Sequence, residues 1–520
     1  MSTTQPPGAR LAAELPLPAA DVLAAIEADA APTAAHPFVA LTASYFAAAA
    51  AGDGPVSSAR TPAELAARFA EPLPRAGRAL AEVVARLERD VVADANRLCH
   101  PMYLGHQVSA PLPAAVWTES LVAALNQSVA VTEMSPTGTA VEGRVVRWMA
   151  DLAGFGPRAG GTFTSGGTEA TFAALLAARS RAVPNVWADG LGPEPPVIVC
   201  GEHAHYAVGR AAGELGIGQR NVVTVPSRDY RMDVDALGRT LADLEASNRR
   251  VMAVVATAGT TATGSFDDLD AAADLCEARG LWLHADGAHG ASALLSAEHR
   301  HRVRGVGRAH SLAWDPHKML LLPLSAGVVL VREERWLEAA FAQAAPYLFH
   351  APPGASAEDA HDAAHAEEFD RAPRVWDQGV RSFQCSRRAD ALKVWVAFQR
   401  YGADGLGALY DRLCALAARL HARLQEHPAF EPLHAPESNI LCFRYVGAGG
   451  DAGADALNGR LRASYNRSGA GWITTTVLGG RRVLRVTVMN PRTTDAHLTA
   501  LVDGLAAVGE AEARVDASSP

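Results

Sequence analysis

The sequence predicts an α/β fold: a mostly parallel sheet with helices on both faces, followed by a small C-terminal α+β domain. Three observations predict it. First, between about residues 160 and 335 short apolar, β-branched runs (196–200, 221–225, 251–256, 281–285, 311–314 and 327–331) alternate with helical stretches (206–215, 233–247 and 267–279). Strands alternating with helices imply right-handed crossovers and a parallel sheet covered on both sides. Second, a long helix-forming run begins near residue 391, and a late strand occupies 483–488. Third, residues 1–95 are alanine-rich with helical spacing, interrupted at Pro55, Pro62, Pro72 and Pro74. The expected organisation is a helical extension over 1–95, a large α/β domain over 96–390, a small α+β domain over 391–510 and a disordered tail over 511–520.

Bulk properties narrow the function. A chain of 520 residues is longer than one hydrophobic core usually supports. It is 49% hydrophobic and 20% charged, ordinary for a globular protein, with a net charge of −9. No basic block suggests nucleic acid or an anionic membrane surface. Six cysteines are scattered without a CxxC pair, which argues against a zinc site and for reduced thiols in a cytoplasmic protein. The N-terminus lacks an apolar signal core, and the alanine-rich run at 39–51 is too short to span a bilayer. Residues 350–371 are polar and acidic and read as a mobile loop or partly disordered insert. His361 and His365 there have i, i+4 spacing, but Asp362 stands between them where a zinc-protease motif has glutamate, so no metal is expected.

The chemistry concentrates at strand ends. Lys318 closes the run SLAWDPHK just past an apolar strand, where an amine is costly to desolvate unless paired or covalently used. Upstream, TSGGTEA opens a helix: Gly166 and Gly167 permit close backbone approach to an anion, and Thr168 adds a hydroxyl. Asp286 ends the strand at 281–285, and Thr261 follows the one at 251–256. His205 lies just after the strand ending at Cys200, and His317 stands beside Lys318. Ligands of such sheets collect at the carboxyl ends of the strands, so Asp286 and Lys318 can converge although 32 residues apart. Each residue alone has a plainer reading: a helix cap, a loop-capping aspartate, a buried histidine. Phosphate cradle, acid and amine in this order are what an enzyme needs to hold pyridoxal phosphate as a Schiff base.

The chain resembles the group II pyridoxal-phosphate decarboxylases, the family of glutamate, cysteine-sulfinate, aromatic-amino-acid and 2,4-diaminobutyrate decarboxylases. Five stretches carry the resemblance: TSGGTEATFAALLAAR, HAHYAVGRAAGELGIG, ATAGTTATGSFDDL, LWLHADGAHGA and SLAWDPHKML. FQCSRRADALKVWVAFQRYG and LRVTVMNP resemble the glutamate and cysteine-sulfinate branch. The resemblance implies a fold-type-I enzyme, a homodimer, that converts an L-amino acid to its amine and carbon dioxide. It implies Lys318 as the Schiff-base lysine, Asp286 as the partner of the pyridine nitrogen and His205 as the ring-stacking histidine. Gly167, Thr168, Thr261 and His317 resemble cofactor-binding positions. Arg485 resembles the arginine that holds the substrate α-carboxylate, and Tyr347 the tyrosine that protonates Cα after carbon dioxide leaves. Departures concern the substrate: Asp315 stands where many relatives have asparagine, His289 where the glutamate branch has a bulky aromatic, Ala130 where it has phenylalanine, and His106 near the position of a glutamine. An aminotransferase or an aldehyde-forming oxidative deaminase on the same fold is the alternative, the latter disfavoured by Tyr347. A structural relative without cofactor is disfavoured by the complete set of Lys318, Asp286 and His205.

Overall fold

The computed structural model describes residues 36–341, 377–447 and 453–518. Tyr347 and the 350–371 segment lie outside them. The chain divides into two compact units, one holding residues up to 51 and 58–96, the other residues 52–57 and everything from 97 onward.

Among its described residues, from 36 onward, the first unit is mainly helical. Helices span Pro37–Ala51, Pro62–Ala67 and Leu80–Leu87. The second begins at a capping box: the Glu64 amide donates to the Thr61 hydroxyl, and the Thr61 amide donates to the Glu64 carboxylate at 2.6 Å. Two of the helix's otherwise orphaned donors are thereby satisfied.

The second unit is built on a seven-stranded sheet. Its strands are β1 (Gly160–Thr164), β2 (Val197–Gly201), β3 (Val222–Val225), β6 (Val251–Thr257), β7 (Trp282–Asp286), β8 (Ser311–Trp314) and β9 (Gly327–Val331); β4 (Ser227–Arg228) and β5 (Arg231–Met232) form a small hairpin between them. The order is β1-β9-β8-β7-β6-β2-β3, with β3, β2, β6, β7 and β8 parallel and β9 antiparallel to both its neighbours. Strands buried on both faces read as continuous apolar runs, which is why the sequence revealed six of the seven. β1, with the sequence Gly-Gly-Thr-Phe-Thr, has no such run and escaped that reading.

The helix Gly167–Ala182 crosses the sheet against β6, β7, β8 and β9. Its buried residues are Ala170, Thr171, Ala173, Ala174, Leu175, Leu176, Ala177 and Ala178, five of them alanines whose small side chains let backbone lie close to its neighbours. The C-terminal segment supplies a four-stranded antiparallel sheet, β10-β11-β13-β12, from β10 (Phe430–Pro432), β11 (Ile440–Tyr445), β12 (Thr474–Leu478) and β13 (Arg481–Thr487). It is the expected α+β element, but it shares one compact unit with the large sheet. The long helix Ala391–Glu426 is interrupted at Gly402, whose φ of +69° is a left-handed value.

One expectation is corrected. The last helix runs Asp495–Ser518, through most of the stretch assigned to a disordered tail. Leu498, Leu501, Val502 and Leu505 are buried, and that amphipathic anchor carries the helix onward.

Candidate active site

β7 and β8 run in parallel register, with Asp286 level with Ala313. The buried strand β8 ends at Trp314, and Asp315–Pro316 begins a tight turn in which the Lys318 amide donates to the Asp315 carbonyl at 2.9 Å. The turn brings the Lys318 ammonium back over Asp315, Nζ to Oδ2 at 3.0 Å. Asp315 is almost wholly buried, so the lysine meets a counter-charge rather than bulk water. The sequence flagged Asp315 only as a departure; its pairing with Lys318 emerges from the turn.

His317 shares that carboxylate, its Nε2 lying 3.5 Å from Asp315 Oδ2. Its Nδ1 accepts the Ala326 amide at 3.0 Å, so its proton sits on Nε2. Burial lowers its pKa, and the nearby Asp315 carboxylate opposes this. The ring is therefore a neutral donor. It lies beside Gly166, where a Cβ would stand 3.2 Å from His317 Cε1. A Cβ on Gly167 would stand 2.7 Å from the Ala288 Cβ and 3.0 Å from Asp315 Oδ2. These two glycines thus form a cradle that any side chain would fill, at the amino end of the helix Gly167–Ala182 with half-buried Thr168 next to it. Ser165 is drawn into this turn: its amide and hydroxyl both donate to Glu169, at 2.8 and 2.7 Å.

Asp286 is buried at the end of β7, and its Oδ1 accepts the Ala288 amide at 3.2 Å. His205, half-buried, accepts the Ala207 amide on Nδ1 at 3.2 Å, which leaves its proton on Nε2. Burial lowers the His205 pKa; Asp286 and Asp315 raise it and Lys318 lowers it. His205, Asp286, Asp315 and Lys318 therefore act on one another within a single site at the carboxyl edge of the sheet, as the strand-end argument anticipated.

Arg485 enters from β13. It is buried, and its guanidinium donates to main-chain carbonyls: Thr261 at 2.6 Å, Ala262 at 3.0 Å and Gly105 at 3.4 Å. No carboxylate neutralises it among the described residues. Thr261 is exposed, and its main-chain carbonyl accepts from Arg485. Tyr347 falls outside the described residues.

Of two further neighbours, the sequence marks His289 only as a departure that concerns the substrate and does not mark Asn439 at all. His289, three positions past Asp286, donates from Nε2 to Asn439 Oδ1 at 2.7 Å. Asn439 is fixed in turn, donating to the Val488 carbonyl at 2.8 Å. A cleft of about 700 Å³ at the amino ends of β6 and β7, lined by Arg181, Arg249, Arg250 and Arg279, contains none of these groups.

An amine with a buried counter-ion, a strand-end carboxylate, a neutral imidazole and a glycine cradle for a phosphate fit pyridoxal 5′-phosphate, and define the class as a pyridoxal-phosphate enzyme on a type-I fold. Comparisons with known proteins agree. The profile of the pyridoxal-dependent decarboxylase conserved domain matches residues 88–446. The L-2,4-diaminobutyrate decarboxylase of Rhizobium meliloti is 35% identical over 444 residues, 85% of this chain and 83% of that protein. The cysteine sulfinic acid decarboxylase of Rattus norvegicus is 32% identical over 361 residues, 69% and 70% of the two chains. Among solved structures, the glutamate decarboxylase domain of a diaminobutyrate-pyruvate transaminase and L-2,4-diaminobutyrate decarboxylase from Vibrio parahaemolyticus superposes with a TM-score of 0.78 at 29% identity, covering 90% of this chain and 94% of that one. Mouse CSAD gives 0.83 at 26% identity, covering 94% and 98%. The chain belongs to the pyridoxal-dependent decarboxylase family: it is a carboxy-lyase that removes carbon dioxide from an amino acid with the help of pyridoxal phosphate. An aminotransferase or oxidative deaminase is not favoured.

Proposed function

We propose that Lys318 is the amine that holds the cofactor and that Arg485 holds the substrate's α-carboxylate. The observation that carries this reading is the pairing of two cations in one site: Lys318 on a single buried carboxylate, and Arg485 on backbone carbonyls alone. A buried guanidinium without a carboxylate is a standing receptor for one.

Bound pyridoxal phosphate supplies an electron sink for the pair left on Cα when the carboxylate departs. The protein's own groups do the rest. Gly167 and Thr168 offer backbone amides and a hydroxyl to the phosphate, and His317 offers its Nε2 proton. Asp286 presents a buried anion that keeps a proton on the nitrogen facing it. His205 would lie against the bound ring as a neutral donor. Arg485 fixes the carboxylate so that the bond to be broken is held in one orientation. Tyr347 returns a proton to Cα.

The partner is a second copy of this chain, and the site is cytoplasmic. Support for the dimer comes from the helix Pro113–Leu125, where Trp117, Leu121 and Leu125 recur every fourth residue and are 41%, 54% and 46% exposed. An exposed apolar stripe of this kind is costly in a monomer.

Borohydride reduction of the protein with pyridoxal phosphate, followed by peptide mapping, tests the first role. The label should fall on the peptide containing Lys318, and labelling elsewhere with Lys318 unmodified would refute it. Tyr347→Phe should still release carbon dioxide but, with dioxygen as the two-electron oxidant, divert product from amine to aldehyde and ammonia; unchanged amine yield would exclude Tyr347 as the proton donor.

A further inference from the structure

The open cleft of about 700 Å³ lies at the end of the large sheet away from the active site: Trp282 at the start of β7 lines it, whereas Asp286 at the end of β7 belongs to the site. Three helices end around it, Gly167–Ala182, Val234–Ala246 and Leu269–Glu277. Parallel crossovers bring helix carboxyl ends back to the amino ends of strands. These helix ends and the segments after them carry four exposed arginines into the wall: Arg181, Arg249, Arg250 and Arg279. Cations at helix carboxyl ends have an ordinary use, complementing the dipole and bonding free carbonyls. That use accounts for part of the set. Arg250 Nη1 donates to the Ala182 carbonyl at 3.3 Å, and Arg279 Nη1 to the Leu275 carbonyl at 3.2 Å. Arg249 Nη2 donates to Asn221 Oδ1 at 2.7 Å, and Arg181 lies over the Trp336 ring, 5.3 Å from its centroid. A guanidinium has five donors, so most of them face the cleft's solvent.

None of the four is ion-paired among the described residues. The acids that precede Arg279 are turned away: Asp274 and Glu277 each meet Arg308 at 2.7 Å. Glu245 is the one acid in the described wall. The three helix ends offset about half a charge each and Glu245 one more, which leaves a surplus of about one and a half positive charges. In a chain of net charge −9 this concave cationic wall is an exception. Guanidinium forks match the oxygens of phosphate, and forks from three separate segments suit a ligand with two linked anionic groups better than a single ion. We propose that the cleft is a binding site, separate from the active site, for a small molecule bearing a diphosphate group, free or carried on a nucleoside.

The test is calorimetric titration of the holoenzyme with pyrophosphate, the bound cofactor filling the glycine cradle that would otherwise compete for it. Binding should saturate at one per chain and weaken as salt is added. Malonate, a dianion of similar span without phosphate, should bind about tenfold more weakly or not at all. Arg249→Gln with Arg279→Gln should weaken pyrophosphate at least about tenfold, since charge-assisted hydrogen bonds are lost, while the cofactor's visible absorbance shows the variant folded. Glu245→Gln, which removes the opposing charge, should tighten it about threefold. ADP in place of pyrophosphate tells the two carriers apart: tighter binding assigns a nucleoside diphosphate, equal or weaker binding the free diphosphate. Absence of heat at millimolar pyrophosphate, malonate binding as tight, or a folded double variant within about twofold of the wild type overturns the proposal. Should the double variant not fold, an unchanged affinity in Glu245→Gln overturns it instead.

Discussion

Single residues here have strong effects because their charges are buried. Asp286 sits at the end of a fully buried strand, so its anion acts through low dielectric on whatever faces it. Asp286→Asn keeps the shape and removes the charge. It should leave cofactor binding measurable while kcat falls by on the order of 10²–10³-fold, the usual cost of removing one fixed electrostatic partner. Steady-state kinetics of amine formation checks this, and a variant within threefold of the wild type would remove Asp286 from the chemistry. Neighbouring Asp315 differs in having its own cation, Lys318, at 3.0 Å. Two carboxylates in one site thus have separate tasks, one toward the lysine and one toward the ligand.

At the level of elements, the site depends on how distant segments are tied to β1, which leads into the glycine cradle. Glu142, on the helix Pro136–Leu152, is fully buried and bonded to Arg387 at 2.6 and 3.0 Å, and it accepts the Phe163 amide of β1 at 3.2 Å. Removing one partner of a buried pair leaves an uncompensated charge, at a cost of about 3–5 kcal/mol. Glu142→Ala should lower the unfolding free energy by that amount in urea titrations. A loss below ~1 kcal/mol would mean that the pair does not anchor β1. Lys393 shows the same device in the long helix: wholly buried, it meets Asp390 at 3.0 Å and the Ser325 carbonyl at 2.7 Å. Both ties bring the segment after residue 377 onto the sheet that carries the cradle.

For the whole molecule, buried histidines set the acid limit. Burial lowers His284 to about 4, His310 to about 4 and His289 to about 3. Their folded values lie below the unfolded one near 6.5, so between pH 6.5 and 4 the unfolded chain binds protons that the folded chain refuses. Stability from these groups is complete above pH 6.5 and is lost as pH falls through that window. Asp267, raised by burial to about 6, works in the opposite direction between pH 4 and 6. Taken by themselves, these four groups give the slope of two protons, roughly 3 kcal/mol per pH unit. Urea unfolding at pH 7 and pH 5 should reveal the loss, and equal stability at both would contradict it. Association is tested at the same scale. Leu121→Glu with Leu125→Glu puts charge on the exposed stripe of the helix Pro113–Leu125 and should convert a dimer to monomer by light scattering; an undisturbed dimer would place the interface elsewhere.

The succession of strands and helices, the glycine cradle before its helix and the lysine after its strand could all be read from residue order, because alternation and apolar periodicity report which local faces are buried. The resemblance of five motifs added the family. What remained hidden depends on approach through space. β9 runs against its neighbours, a direction that an apolar run does not encode. The hydrogen bond from His289 to Asn439 joins residues 150 apart, and that from Arg485 to Thr261 residues 224 apart. Only the docking of the small sheet against the large one fixes which nitrogen of His289 holds its proton and which carbonyls surround Arg485. Burial then gives those contacts their weight, since a lone pair or charge withdrawn from water must find its partner inside the protein or in the ligand.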